Sequence, residues 1–141
     1  ERIVSDVETL LGHKASKCRT HSDPLPGGNG APLPETQDRL AALYGTEAAQ
    51  VAEAGADVAA EARFAVTHEG ALALEDYWVR RSVRAYFDPD GGIAALDAAA
   101  AAMAGLLGWS DAKKQQQIAA CKQIRTDSFA WAYSAPAAIK E

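Results

Sequence analysis

The chain has 141 residues, enough for one compact domain with an appendage, and alanine dominates an apolar fraction in which aromatic residues make up only 7% of the chain. That composition favours helices, because alanine loses least on entering one. A formal net charge of −5 argues against a dedicated nucleic-acid binder, whose affinity rests on neutralising phosphates.

Ile3, Val4, Val7, Leu10 and Leu11 form one apolar face of a helix over residues 1–11, with Gly12 where a C-terminal cap belongs. This helix is already under way at Glu1, with no Met, which reads as an excised piece of a longer protein. From His13 to Pro34 the periodicity vanishes, and "DPLPGGNGAPLP" holds four prolines and three glycines, the mark of a connector. The domain boundary is therefore expected here: residues 1–17 as the tail helix of an upstream body plus the start of a linker, and residues 18–141 as a helical domain.

The following helices are expected at about 35–44, ended by Gly45; 47–54, capped by Thr46; 58–69; 74–87, broken by "DPDGG"; 92–107, ended by Gly108; and 111–130, capped by Ser110. Ile118, Cys121 and Ile124 mark the inner side of the last. No stretch alternates with period two. The predicted fold is all-α, a compact bundle of about five to six helices behind a terminal helix and a Pro/Gly-rich linker.

"HEGALALEDYWVRRSVRAYF", residues 68–87, carries the densest charge. Leu72, Val79, Val83 and Tyr86 are expected to form a stripe along it, with Asp76 beside it. Glu75 and Asp76 fall in the first turn, where the helix dipole favours negative charge. Asp76 and Arg80 are spaced for a pair on the same helix. Arg80 and Arg84 repel at that spacing, so one of them needs a partner elsewhere. Arg81 has Tyr77 at i−4 and should reach a carboxylate of the preceding helix, Glu69 or Glu61, in a bidentate pair. Adjacent acids do not oppose each other across a helix, so a general acid–base pair is rejected.

Other motifs fail on inspection. "DPDGGIAALD" lacks the oxygen ligands and the closing Glu of a calcium loop. His13, Cys18 and His21 cluster loosely but have no second ligand pair for zinc. "PGGNG" lacks the lysine and the strand–loop–helix setting of a phosphate-binding loop. His68 is expected in or near the core, and Trp78, Trp109 and Trp131 as core anchors. Two distant cysteines suit a reducing compartment. No apolar run approaches the roughly 20 residues of a spanning helix.

Four stretches in order carry a resemblance. "CRTHSDPLPGG", "LYGTEAAQV", "THEGALALEDYWVRRSVRAYF" and "MAGLLGWSDAKKQQQIAACKQ" resemble the C-terminal part of FAD-dependent, quinone-linked glycerol-3-phosphate dehydrogenases. In that family an acidic residue followed by Ala-x-Thr-Leu-Glu-Asp-x-Leu-x-Arg-Arg-Thr-Arg leads the penultimate part of the chain, and Met-Ala-x-x-Leu-Gly-Trp-Ser precedes the terminal helix. Ala73 replaces the family's capping Thr, Ser82 stands for Thr, and Lys113 and Gln117 sit where acidic residues are common. The family's flavin fingerprint, substrate-binding arginines and catalytic histidine have no counterpart in this chain. Thus no catalytic, cofactor-binding or metal-binding residue is assigned.

The resemblance implies a full-length enzyme that oxidises glycerol 3-phosphate to dihydroxyacetone phosphate. It would use FAD held by the upstream domain, pass electrons to membrane quinone, and sit in the cytoplasm at the inner face of the cell membrane. This chain would be its non-catalytic helical C-terminal domain, with Glu75, Asp76, Arg80, Arg81 and Arg84 as structural or interdomain residues and homo-oligomer contacts as an option. The alternative is a stand-alone helical interaction or regulatory module. A nucleic-acid binder built on the arginine cluster is disfavoured by the acidic total.

Overall fold

A computed structural model describes residues 2–14, 17–29 and 38–133, without the side chains of residue 129 or residues 131–133. The described residues are helical, with no strand among them. In order they form α1 (Arg2–Leu10), α2 (Arg39–Tyr44), a 3-10 turn (Gly45–Glu47), α3 (Ala48–Glu53) and α4 (Val58–His68). A π-helical segment (Asp76–Arg81), α5 (Arg84–Phe87), a second 3-10 turn (Ile93–Ala95), α6 (Leu96–Leu107) and α7 (Asp111–Tyr133) follow. The chain divides into two compact units, Glu1–Glu47 and Ala48–Glu141.

In the first unit, α1 buries none of its residues, and its apolar face of Ile3, Val4, Val7, Leu10 and Leu11 is exposed. Asp38 caps α2 by accepting from the Leu40 amide at 2.9 Å. Gly45 ends α2 at φ +55°. Its backbone lies so close to Gly27 that a Cβ there would run into the Gly27 carbonyl oxygen. That oxygen accepts from the Thr46 amide at 3.0 Å and from the Thr46 hydroxyl at 3.3 Å. Thr46 is therefore not the helix cap expected of it; its hydroxyl, also 3.0 Å from Asn29 Oδ1, fastens the proline–glycine loop to the end of α2.

The second unit is built on alanine. Ala62 and Ala65 of α4 face Ala99 and Ala100 of α6, all buried, and the small side chains let the two helices approach closely. Leu74, Tyr77, Trp78, Leu96 and Met103 fill the space around that contact, and α7 closes it with Ile118 and Cys121. Ile124 and Trp109 pack against the same core; Trp131 lies outside the described side chains. Asp57 caps α4 through the Ala60 amide at 2.7 Å, and Ser110 caps α7 through that of Lys113 at 3.2 Å. Gly108 ends α6 at φ +66°. Residues 35–37 of the expected 35–44 helix lie outside the described residues.

The stretch 74–87 is not the single α-helix expected. Leu74 and Glu75 open it, the π segment widens it, and Val83 breaks it at φ +51°. A β-branched residue in the left-handed region costs on the order of 1–3 kcal/mol. The wide turn is marked by the Ser82 amide donating to Tyr77 O at 2.8 Å. The buried Ser82 hydroxyl adds a second donor to the same carbonyl at 2.9 Å. The expected stripe divides with the helix: Val79 packs against the core and Val83 is half-buried. Leu72 and Tyr86 are each 71% exposed, while Leu74, Tyr77 and Trp78 take the inner side.

Gly92, at φ +69°, seals the far end. A Cβ on it would press on Trp78 Nε1 and Arg84 Cβ at under 3 Å. The turn it makes also lets Trp78 Nε1 donate to Gly91 O at 2.9 Å, so the buried indole keeps its hydrogen bond. Asp90 holds the turn by accepting from the amides of Gly92 at 2.9 Å and Ala94 at 2.7 Å, a helix-entry turn rather than a calcium loop.

Candidate interdomain site

The charged stretch folds into three separate latches. In the first, Arg80 Nη2 meets Glu75 Oε1 at 2.6 Å and Nη1 meets Asp76 Oδ1 at 3.0 Å, half in solvent. Asp76 does more than pair. Its other oxygen accepts from the amides of Leu72 at 3.1 Å and Ala73 at 3.0 Å, the donors left at the segment's entry. A side-chain cap at Ala73 is thus replaced by a carboxylate reaching back from Asp76. Burial pushes the pKa of that carboxyl up, but the two amides and the charges of Arg80 and Arg81 outweigh it and hold the pKa below the usual value.

The second latch is Arg81. Its Nε and Nη2 donate to one acceptor, the backbone carbonyl of Glu69, at 3.1 and 2.9 Å. The expectation named the right element and the wrong atom. Glu69 is the C-cap of α4, and the last carbonyls of a helix lack intrahelical donors and carry negative partial charge. A guanidinium fork satisfies both needs at once. The Glu69 and Glu61 carboxylates are therefore not the partners of Arg81.

Arg84 makes the third latch. Its Nη2 lies 2.9 Å from Glu61 Oε1 on α4 and its Nη1 lies 2.9 Å from Asp88 Oδ2, while Nε donates to Tyr77 Oη at 3.3 Å. Glu61 is 2% exposed, so its charge sits in the interior with a guanidinium beside it. Burial works against the charged form of Arg84, yet the hydrogen bonds to Asp88 and Tyr77 and the charge of Glu61 bind its proton more tightly than usual. Burial and the Glu61 charge push the Tyr77 phenol upward. Of the two repelling arginines, Arg84 is the one that leaves its own helix for a partner.

One contact had no sequence signal. Gln117 of α7 accepts the Leu74 amide at 2.9 Å through Oε1, tying the last helix to the start of the charged segment. An acidic residue, common at this position in the resembled family, offers the same acceptor. His68 is exposed rather than in the core. It stacks on Phe64 with ring centroids 4.3 Å apart, and its ring nitrogens lie 2.7 Å from Thr67 Oγ1 and 3.2 Å from Gln50 Nε2.

Chemically, the carboxylates of Glu75, Asp76, Glu61 and Asp88 are engaged by guanidinium groups, which suits clamping rather than proton transfer. Among the described residues no group of three or more His, Cys, Asp or Glu is placed to hold a metal. Neither Cys18 nor Cys121 is in a disulfide. Burial, followed by the Glu75 charge, pushes the Cys121 thiol up to about 12. Among the described residues, the proline–glycine loop does not offer a cradle for a dinucleotide either. Gly27 closes onto the Tyr44–Gly45 backbone instead of opening a helix N-terminus to a pyrophosphate. Among the described residues no helix is long and apolar enough to cross a membrane.

Residues 18–114 match the family model of the C-terminal domain of alpha-glycerophosphate oxidase. Glycerol-3-phosphate dehydrogenase 1 of Mycobacterium bovis is 41% identical over 104 residues, an alignment covering 58% of this chain and 20% of the relative. The protein of the same name from two Mycobacterium tuberculosis strains matches to the same extent. The aligned part thus spans about a fifth of the length of these relatives. No solved structure matches.

Proposed function

Because this chain belongs to the family of alpha-glycerophosphate oxidase C-terminal domains, we propose that it is the helical brace of an FAD-dependent glycerol-3-phosphate dehydrogenase. The full-length enzyme oxidises glycerol 3-phosphate to dihydroxyacetone phosphate and delivers the electrons to quinone at the inner face of the cell membrane. A preceding domain would hold the FAD, which would supply the hydride acceptor; this chain's residues would not hold it. The residues of this chain carry no step of that reaction; they hold a rigid helical unit in place against the catalytic body. The observation that carries the reading is the family match over residues 18–114. The 41% identity to a protein named for this activity supports the substrate.

The three arginine latches fit the role. They spend their charges inside the unit, so the unit arrives at a neighbour already rigid. The exposed face of α1, which precedes the matched residues, fits a helix that packs on the preceding domain.

The test is expression of the whole gene product and of residues 1–141 separately. The whole product should show a flavin spectrum and reduce a soluble quinone analogue on addition of glycerol 3-phosphate. Residues 1–141 should be colourless and inactive. A whole product with neither flavin nor glycerol 3-phosphate turnover overturns the proposal and leaves a helical interaction module.

A further inference from the structure

Between Leu74 and Phe87 there is neither glycine nor proline, so nothing in the local sequence stops a continuous α-helix. The fold nevertheless widens the first half of this stretch and breaks it at Val83, a β-branched residue at φ +51°. The two forms differ by one residue of register. In the observed form the Ser82 amide donates to Tyr77 O at 2.8 Å, whereas in an α-helix it would donate to Trp78 O. The Ser82 hydroxyl stands at both acceptors, 2.9 Å from Tyr77 O and 3.4 Å from Trp78 O. The wide and the α-helical acceptor thus lie around the same residue.

The continuous helix has something to gain. Val79 packs against the core, and Val83 and Tyr86 follow it at i+4 and i+7, on one helical face. Tyr86 is 71% exposed in the broken form. The α register would carry it round to the Val79 side and take Val83 out of the left-handed region.

The exit latch stands against that gain. The entry is fixed, because Asp76 accepts from the Leu72 and Ala73 amides and Gln117 accepts from that of Leu74. Relaxation therefore turns the exit, by about 100° for the one residue taken out of the wide turn. Arg84 cannot make that turn and stay 2.9 Å from Glu61. Of its two carboxylate partners, Asp88 travels with the exit, whereas Glu61 belongs to α4. The Glu61 side chain is buried, and drawing a guanidinium away from a buried carboxylate is strongly unfavourable. Arg81, tied to Glu69 O, resists from within the wide turns but lies before the break. We propose that residues 74–87 are a two-state strap, and that the Glu61–Arg84 pair is the catch that holds it in the wide, broken form. Release of the catch lets the strap close into one α-helix that takes Tyr86 inward.

Nuclear magnetic resonance of the protein labelled in valine and alanine tests this. A left-handed residue brings its own amide and α protons unusually close, so Val83 should give a stronger intraresidue cross-peak than helical Val66. Ala85, in the first turn of α5, has no carbonyl behind it in that helix, so its amide should exchange readily. Replacing the catch by an apolar pair, Glu61→Met with Arg84→Met, leaves neither charge orphaned by the other. The strong Val83 cross-peak should then be lost, and the Ala85 amide should exchange more slowly because Arg81 O becomes its acceptor. If that pair does not fold, Glu61→Gln with Arg84→Gln carries the same expectation. A Val83 cross-peak that persists overturns the proposal, since the break then stands without the catch. Unchanged or faster exchange at Ala85 overturns it too, because the strap has then frayed rather than closed.

Discussion

Arg81 and Arg80 are neighbours with different work, and the difference lies in what each guanidinium meets. Arg81 gives two donors to one carbonyl at the end of α4, and a lysine ammonium reproduces neither the fork nor its reach. Arg81→Lys should therefore lower stability by about 1–2 kcal/mol, whereas Arg80→Lys, with its head in solvent, should leave the melting temperature nearly unchanged. Thermal denaturation of the two variants side by side measures this; equal effects contradict it. Asp76 adds a pH signature. Its folded pKa is depressed, so its contribution is present above the unfolded value, about 4, and is lost as pH falls through the lower folded value. Asp76→Asn should be less stable than the parent at neutral pH, with the gap narrowing on acidification below about pH 4. A gap that stays constant from neutral to acid would assign the loss to geometry alone. Cys121, its thiol pushed up to about 12 by burial and Glu75, should resist maleimide in the native protein while Cys18 reacts, as mass spectrometry of the labelled chain would show.

At the scale of elements, the helices legible in the sequence were those whose ends carry local chemistry. Gly108 and Ser110 sit at termini with the caps that their φ angle or side chain provides. The alanine-rich α6 needed no more than its propensity. The stretch 74–87 was not legible, because its form depends on partners distant in sequence. Ser82 and Tyr77 set the wide turn, and Arg84 with Glu61 holds the break at Val83. Propensity sees a valine and predicts neither. The candidate residues were recognised by type and spacing, yet Arg81's acceptor is a backbone atom and Gln117's role is a contact between residues 43 apart, and neither leaves a pattern in the sequence. Val83 makes the tertiary override measurable. Glycine ordinarily destabilises a helix interior by roughly 0.5–1 kcal/mol, but is at home where φ is positive. Val83→Gly should thus cost at least about 1 kcal/mol less than Val79→Gly, read from urea unfolding midpoints. The opposite order would mean that Val83 is held by packing rather than strained.

At the scale of the whole molecule, α1 is the element least accounted for by the chain's own structure. Its face of Ile3, Val4, Val7, Leu10 and Leu11 has helical periodicity, which selects for burial, yet none of these residues is buried. An apolar side chain of this size gains roughly 1.5–3 kcal/mol on full burial. Several exposed together on one face are a liability in isolation and an asset in a larger protein. If α1 packs on the preceding domain, as the proposed function has it, one substitution has opposite consequences in the two settings. Leu10→Glu should reduce self-association of isolated residues 1–141, seen by sedimentation velocity, with no loss in the melting temperature of that piece. In the full-length protein the same substitution should lower the melting temperature, because the glutamate must be buried unpaired or the helix must detach. The alternative, a stand-alone module that uses α1 to pair with itself, requires the reverse for the whole product: no thermal penalty, and the same loss of self-association as in the piece. Measuring both quantities on both proteins decides which neighbour the face was made for.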